Sequence, residues 1–158
     1  MAAGKGGGTA WQGPAGSEDA VEILDEPTCW ELMAGAEVGR LAVAAAGEIE
    51  IFPVNYALDG HAVVFRTAEG TKLVEVVLAA RVAFEADGRD DARGLAWSVV
   101  IKGEARLLEL FDEIYRAQAL GLESWSSTPK ERFVRIEPTR VTGRRFRIAA
   151  AREHPGTA

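Results

Sequence analysis

The sequence predicts a mainly β protein with a few short helices (α+β), built as an antiparallel β-barrel, and three observations carry that expectation. Polar and apolar residues alternate with the period of a half-buried strand in Glu48-Ile-Glu-Ile-Phe52 and again in Val82-Ala-Phe-Glu-Ala-Asp87. Asp59-Gly60 is a strong hairpin signal between two apolar runs. Helical periodicity is confined to short segments, so the helices that a doubly wound parallel sheet places between most of its strands are missing. At 158 residues the chain fits one domain, and a chain of about this size buries ~70% of its unfolded surface without disulfides or metals.

The elements follow in order. Residues 1–20 are rich in Gly and Ala, lack the apolar core of a signal peptide, and are expected to form a flexible tail. The folded domain is expected over residues 21–149, with a C-terminal tail over 150–158. Thr28 is placed as the N-cap of a short helix from Cys29 to Ala34, ended by Gly35. Val38 to Ala45 is short and apolar and reads as a strand. Glu48 to Phe52 forms the next one, and Pro53 interrupts it. A proline there implies an edge, a bulge or a place where the ladder opens. Asn55 to Leu58 continues the strand to the Asp59-Gly60 turn.

His61 to Thr67 is the following strand, with His61 exposed at its mouth. A helix is expected from Thr71 to Ala80, because Leu73, Val76, Val77 and Ala80 fall on one face. After the strand Val82–Asp87, Gly88 to Gly94 reads as a charged loop. Trp97 opens a long strand past Gly103 towards Leu107. A helix from Leu110 to Leu120 has Asp112 and Arg116 spaced to pair. Two last strands, Arg132–Glu137 and Arg140–Ile148, are separated by Pro138-Thr139. The expected total is about seven strands and three short helices, which suits a barrel closed on itself.

Composition excludes several function classes. The net charge of -6 argues against a general nucleic-acid binder. No apolar run reaches the ~18 residues of a membrane span. The one cysteine, Cys29, fits a reducing cytosol, so a cytoplasmic protein is expected. The C-terminal part departs from the acidic average, with Lys130, Arg132, Arg135, Arg140, Arg144, Arg145, Arg147 and Arg152 against Glu131 and Glu137. It reads either as a local anion site or, more in keeping with an acidic body, as a solvated strand face. No Cys/His cluster has metal-ligand spacing, no nucleoside-triphosphate P-loop or dinucleotide fingerprint is present, and no nucleophile–base–acid arrangement announces itself. No catalytic side chain is therefore expected.

The most informative stretch is Phe65-Arg-Thr-Ala-Glu-Gly-Thr-Lys72. A strand ends in Arg66 and Thr67, a loop passes through Gly70, and a helix begins at Thr71 and Lys72. Helix starts carry free N–H groups and a partial positive charge, which favours phosphate. Arg66 adds a planar fork of donors and Lys72 a point charge. The alternative is a capped helix whose two cations pair with Glu69 and Glu75.

The ordered series Val38-Gly-Arg-Leu-Ala-Val43, Phe52-Pro-Val-Asn-Tyr56, Phe65 to Lys72, Val82 to Asp87 and Trp97-Ser-Val-Val-Ile-Lys-Gly103 resembles the pyridoxamine 5'-phosphate oxidase-like flavin-binding proteins, over about Asp25 to Ile148. The resemblance implies a six-stranded split barrel, a homodimer, and FMN in a groove between the subunits. It implies that Arg66, Thr67, Thr71 and Lys72 hold the phosphate and ribityl chain. Pro53, Val54, Asn55 and Tyr56 would lie along the isoalloxazine ring, and Trp97 and Ser98 would pass beside the flavin. Trp97 to Ile101 is expected to offer apolar surface to the second subunit. The Arg-x-His pattern of the true oxidases' substrate-phosphate site is absent, so oxidation of pyridoxamine phosphate is not expected. The implied activity is flavin-mediated redox chemistry on a small molecule. A deazaflavin coenzyme in place of FMN, or a non-catalytic flavin-binding or sensing module, are the alternatives.

Overall fold

The computed structural model describes residues 21–45, 47–68, 81–122 and 132–148. Within them lie seven strands and two helices. A short strand β1 (Glu22–Leu24) leads into helix α1 (Glu26–Ala34). Asp25 is the N-cap, its Oδ1 accepting from the Thr28 N–H at 2.9 Å. The helix therefore starts three residues before the expected Cys29, and Thr28 receives the cap instead of providing it. Asp25 is the stronger cap because a carboxylate also favours the positive helix end, and Pro27 is harmless in a first turn, where its missing N–H has no partner to lose. Gly35 follows the last turn, as expected.

Strand β2 (Val38–Ala45) has the expected bounds. Strand β3 (Glu48–Leu58) runs unbroken through Pro53, against the expected interruption. Its register explains why. Val38 to Ala45 of β2 pair with Asn55 to Glu48, whereas strand β4 (Val63–Thr67) pairs with β3 only at Tyr56, Ala57 and Leu58. At Pro53 the β3 register is with β2 alone, so a residue without an N–H fits on the open side. Asp59 N donates to Ala62 O at 3.0 Å to close the turn, and Gly60 takes the positive φ of 60° there. His61 is exposed, as expected, and stacks on Trp30 with centroids 5.2 Å apart. The helix expected at Thr71–Ala80 lies outside the described residues.

Strand β5 (Arg81–Asp90) takes in Gly88, which was expected to open a loop. Gly88 pairs with Trp97 on strand β6 (Leu95–Leu107), and a methyl group at Gly88 would lie 2.6 Å from the indole Cζ2. The glycine is there to admit the ring, not to turn the chain. Helix α2 (Phe111–Ala119) matches its expected position, but its ion pair is Glu113 to Arg106 at 2.7 Å. Strand β7 (Arg132–Arg147) is continuous where two strands were expected. Lys102 pairs with Arg140 but Gly103 with Pro138, so Thr139 is an extra residue, a bulge rather than a turn. Its hydroxyl lies 3.1 Å from the Lys102 carbonyl and donates to it.

The strands β7, β4, β3, β2, β5 and β6 are neighbours in that order, and β6 returns to β7. That ring is a closed antiparallel barrel, with β1 added along β7. Leu41, Val43, Phe65, Phe84, Val99, Ile101, Val134 and Ile136 fill it. Helix α1 closes one end, where the Tyr56 hydroxyl donates to Met33 O at 2.6 Å. Helix α2 covers Val64, Leu108 and Phe133 on the outside. Strand alternation turns Trp97, Val99 and Ile101 inward, so the apolar surface expected from that stretch is core. The exposed apolar side chains lie elsewhere, at Ile49 (77%) and Ile51 (64%) among others.

Candidate functional site

The ladder between β3 and β4 ends at Tyr56 opposite Phe65. The next residues outward are Asn55 on one strand and Arg66 on the other, and there the two strands part. Phe65 belongs to the barrel core, so Arg66 faces the outer side, where its guanidinium carbon lies 5.3 Å from the centroid of the Phe133 ring. Arg66 Nε is buried and has no hydrogen-bond partner among the described residues. Leaving a buried donor unpaired costs about 1–3 kcal/mol, more for a charged group. The ring beneath holds the cation in place, and the donor is left for an acceptor from outside the barrel wall. Thr67, opposite Arg132, is 2% exposed. Thr71 and Lys72 lie outside the described residues.

Pro53 and Asn55 are on the outer side of β3, while Val54 and Tyr56 are buried in the core. A cavity of about 190 Å³ opens beside Asn55, Tyr56 and Ala57, and its far wall is Leu120, Gly121 and Leu122 at the end of α2, with Glu37 at its rim. The α2 residues had no signal in the sequence, because they reach β3 only through the tertiary path of the chain. Tyr56 contributes backbone rather than chemistry to this wall. Its hydroxyl is committed to Met33 O, and burial first, then the charge of Glu85, pushes its pKa up.

Trp97 and Ser98 are not brought to this place within one chain. Trp97 is buried against Gly88, and Ser98 faces outward between Asp87 and Arg144. Of the basic C-terminal residues, Arg135 is bound to Asp59 and to Glu137, and Arg145 to Glu22 at 2.9 Å. A larger cavity, about 580 Å³, lies over Ala42, Ala44, Ala83 and Ile49 and contains none of the expected site residues. Among the described residues no group of three or more His, Cys, Asp or Glu is placed to hold a metal ion, and no helix is long and apolar enough to cross a membrane.

Comparison with known proteins gives the following. The family model described as pyridoxamine 5'-phosphate oxidase matches residues 25–145. The structure of an FAD binding protein from Mycobacterium smegmatis superposes with a TM-score of 0.70 at 38% identity, covering 79% of this chain and 98% of that one. A Corynebacterium glutamicum protein provisionally described as a pyridoxamine 5'-phosphate oxidase gives 0.74 at 38% identity, over 85% of this chain and 100% of that one. An uncharacterized Mycobacterium tuberculosis protein is 33% identical over 147 residues, 90% of this chain and 94% of its own length.

Proposed function

Since the chain belongs to the pyridoxamine 5'-phosphate oxidase family, we propose that it is a flavin-dependent oxidoreductase with FMN as its cofactor. The observation that carries this is the buried, unpartnered Nε of Arg66 at the point where β3 and β4 part. It is a preformed donor for an anionic oxygen, and it stands where the sequence motif puts the phosphate. Thr67, Thr71 and Lys72 complete that phosphate and ribityl site by their place in the motif. The β3 edge from Pro53 to Asn55, uncovered by β4, and Tyr56 at the last rung before it supply backbone groups along the flavin ring, with Ser98 and Trp97 of a second subunit closing the groove.

When bound, the flavin supplies the hydride and electron chemistry. The chain's own work is to fix the phosphate at Arg66, to hold the ring against an uncovered strand edge, and to keep bulk water from one side with Leu120 and Leu122. Tyr56, the phenol at this wall, is locked as a donor to Met33 O and is not free to act as an acid or base. Exposed Ile49 and Ile51 support a homodimer, because apolar surface of this kind on a small barrel marks an association face. The acceptor is a small molecule, and the lone buried thiol supports a cytoplasmic site of action.

The Mycobacterium smegmatis relative is named for FAD, which contains the FMN phosphate, and a deazaflavin coenzyme has a similar tricyclic ring, with carbon in place of N5, and a phosphodiester where FMN has a monoester. Titrating apoprotein with FMN, FAD, riboflavin and the deazaflavin coenzyme decides among them. FMN as the tightest ligand, with reduction by a nicotinamide donor and turnover with a quinone or nitro acceptor, is the expected result. A bound flavin that no donor reduces would make the protein a non-catalytic flavin module, and a colourless protein that binds none of the four would end the proposal.

A further inference from the structure

Arg106 and Arg135 stand directly opposite each other on β6 and β7. Like charges facing across a ladder are destabilising unless carboxylates come between them. Glu137 does so, bound to Arg135 and 3.8 Å from Arg106. Each arginine then has a second carboxylate of its own. Asp59, at the β3–β4 turn, takes Arg135, and Glu113 of α2 takes Arg106. The charges alternate along the series Asp59, Arg135, Glu137, Arg106, Glu113, around a cavity of about 110 Å³. The last link is a fork: Arg106 Nη2 donates to Glu113 Oε1 at 2.7 Å, and Nη1 donates to Oε2 at 3.2 Å.

That link is the one ion pair joining α2 to the barrel among the described residues. Little else holds the helix. Its N-cap residue, Leu110, makes no side-chain cap bond, and Ala117 is its one buried residue. Phe111 and Tyr115 are exposed and stack on each other. Ile114, Leu120 and Leu122 are only partly buried against Val64, Leu108 and Phe133. An isolated surface pair is worth little, but a two-pronged arginine–carboxylate pair within a network is the kind that contributes. Glu113, Ala117 and Leu120 follow at i, i+4 and i+7, so they share one face. The far end of that face, from Leu120 to Leu122, is the wall of the cavity beside Asn55, Tyr56 and Ala57. It stands about 10 Å along the axis from Glu113, at ~1.5 Å per residue.

We propose that Arg106 and Glu113 are positioning residues for the flavin site. Their pair sets the tilt of α2, and the tilt sets how closely Leu120 and Leu122 close on β3. Neither Arg106 nor Glu113 lines that cavity. They act through the two leucines, which shut water from one side of the ring. The proposal rests on reading the cavity at Asn55 as part of the flavin groove, and it adds a control over the groove's width. Loss of Glu113 leaves Arg106 facing Arg135 with only the more distant Glu137 between them. Loss of Arg106 frees the helix from the barrel's charge network altogether.

The variants are Arg106→Gln, Glu113→Gln and the double substitution, each studied in the full-length protein with and without FMN. Without flavin, amide hydrogen exchange over residues 117–122 should be roughly fivefold faster than in the parent, with β2 and β5 unchanged. With flavin, the dissociation constants of FMN and riboflavin should rise alike, roughly fivefold, because the wall meets the ring and not the phosphate. Iodide quenching of the bound flavin should rise in both single variants. One of them removes a cation and the other an anion, so a common rise reports access and not local charge. A loss of global stability alone would leave quenching of the folded complex unchanged. The double variant should match the singles, since one pair is broken only once. Effects that multiply in the double variant, unaltered exchange at Leu120 to Leu122, or unaltered iodide access would overturn the positioning role. A protein whose α2 loosens as expected but which binds no flavin would refute the reading of the groove, and the role at it, while leaving the pair as the fastening of α2.

Discussion

At the scale of single residues, the barrel is specified as much by absent side chains as by present ones. A methyl group at Gly143 would lie 2.5 Å from the sulfur of Cys29 and 3.2 Å from Leu24 Cδ1. Gly143→Ala is therefore expected to destabilise the fold by about 1–3 kcal/mol, as overpacking does. Cys29→Ala removes the sulfur that the new methyl meets, so the double variant should recover part of the loss. Urea unfolding of the four proteins gives the coupling, and strict additivity would show that the two sites do not touch. Arg66→Ala tests the opposite kind of residue, one whose removal relieves an unpaired donor. It is expected to leave the unfolding midpoint unchanged or raised while weakening FMN about 30-fold, for a loss of ~2 kcal/mol in charge-assisted bonding. Riboflavin, which has no phosphate, should bind both forms alike. If riboflavin loses as much as FMN, Arg66 maintains the site's shape instead.

Elements are where reading the sequence succeeds and fails for identifiable reasons. Strand β2 and the long β6 were legible because their patterns need no tertiary information. The beginning of α1, the face of Gly88 and the bulge at Thr139 were not. At the start of α1 a stronger cap three residues upstream took the place of Thr28, and in the other two a residue that usually marks a turn serves a packing partner distant in sequence: Gly88 admits Trp97, and Pro138-Thr139 accommodates Gly103. The site was half legible on the same grounds. Arg66 and Pro53 to Tyr56 stand in the same ordered series of motifs, whereas the wall at Leu120 to Leu122 depends on where the end of α2 comes to lie against β3. The N-cap gives a pH test of the revised α1. Bonding to Thr28 holds the Asp25 carboxyl below its ordinary 3.8. A carboxylate whose folded pKa is depressed contributes stability above its unfolded pKa and loses it as pH falls through the folded value. Asp25→Ala should thus lower the melting temperature at pH 7, and the gap to the parent should shrink as pH falls below 3.8. A gap that persists at pH 2 would mean that Asp25 does not act through its charge.

At the scale of the whole molecule, association and barrel closure are the testable properties. Ile49 and Ile51 are exposed on one strand, with the small side chains Ala42 and Ala44 beside them on β2. If the chain dimerises through this face as proposed, Ile51→Glu is expected to yield a monomer in sedimentation velocity at micromolar concentration, with the far-ultraviolet spectrum unchanged. A parent that already sediments as a monomer would refute the dimer. Strand β7 pairs with β1, β4 and β6, and it follows all three in the chain. On a ribosome, everything from β1 to α2 emerges before the strand that joins them, so both open sheet edges wait unpaired while synthesis continues. Closure is then late and long-range, the kind of step that makes folding slow and exposes intermediates to aggregation. A nascent chain arrested before residue 132 should bind chaperones and yield to protease along its whole length, and release of the strand should end both at once.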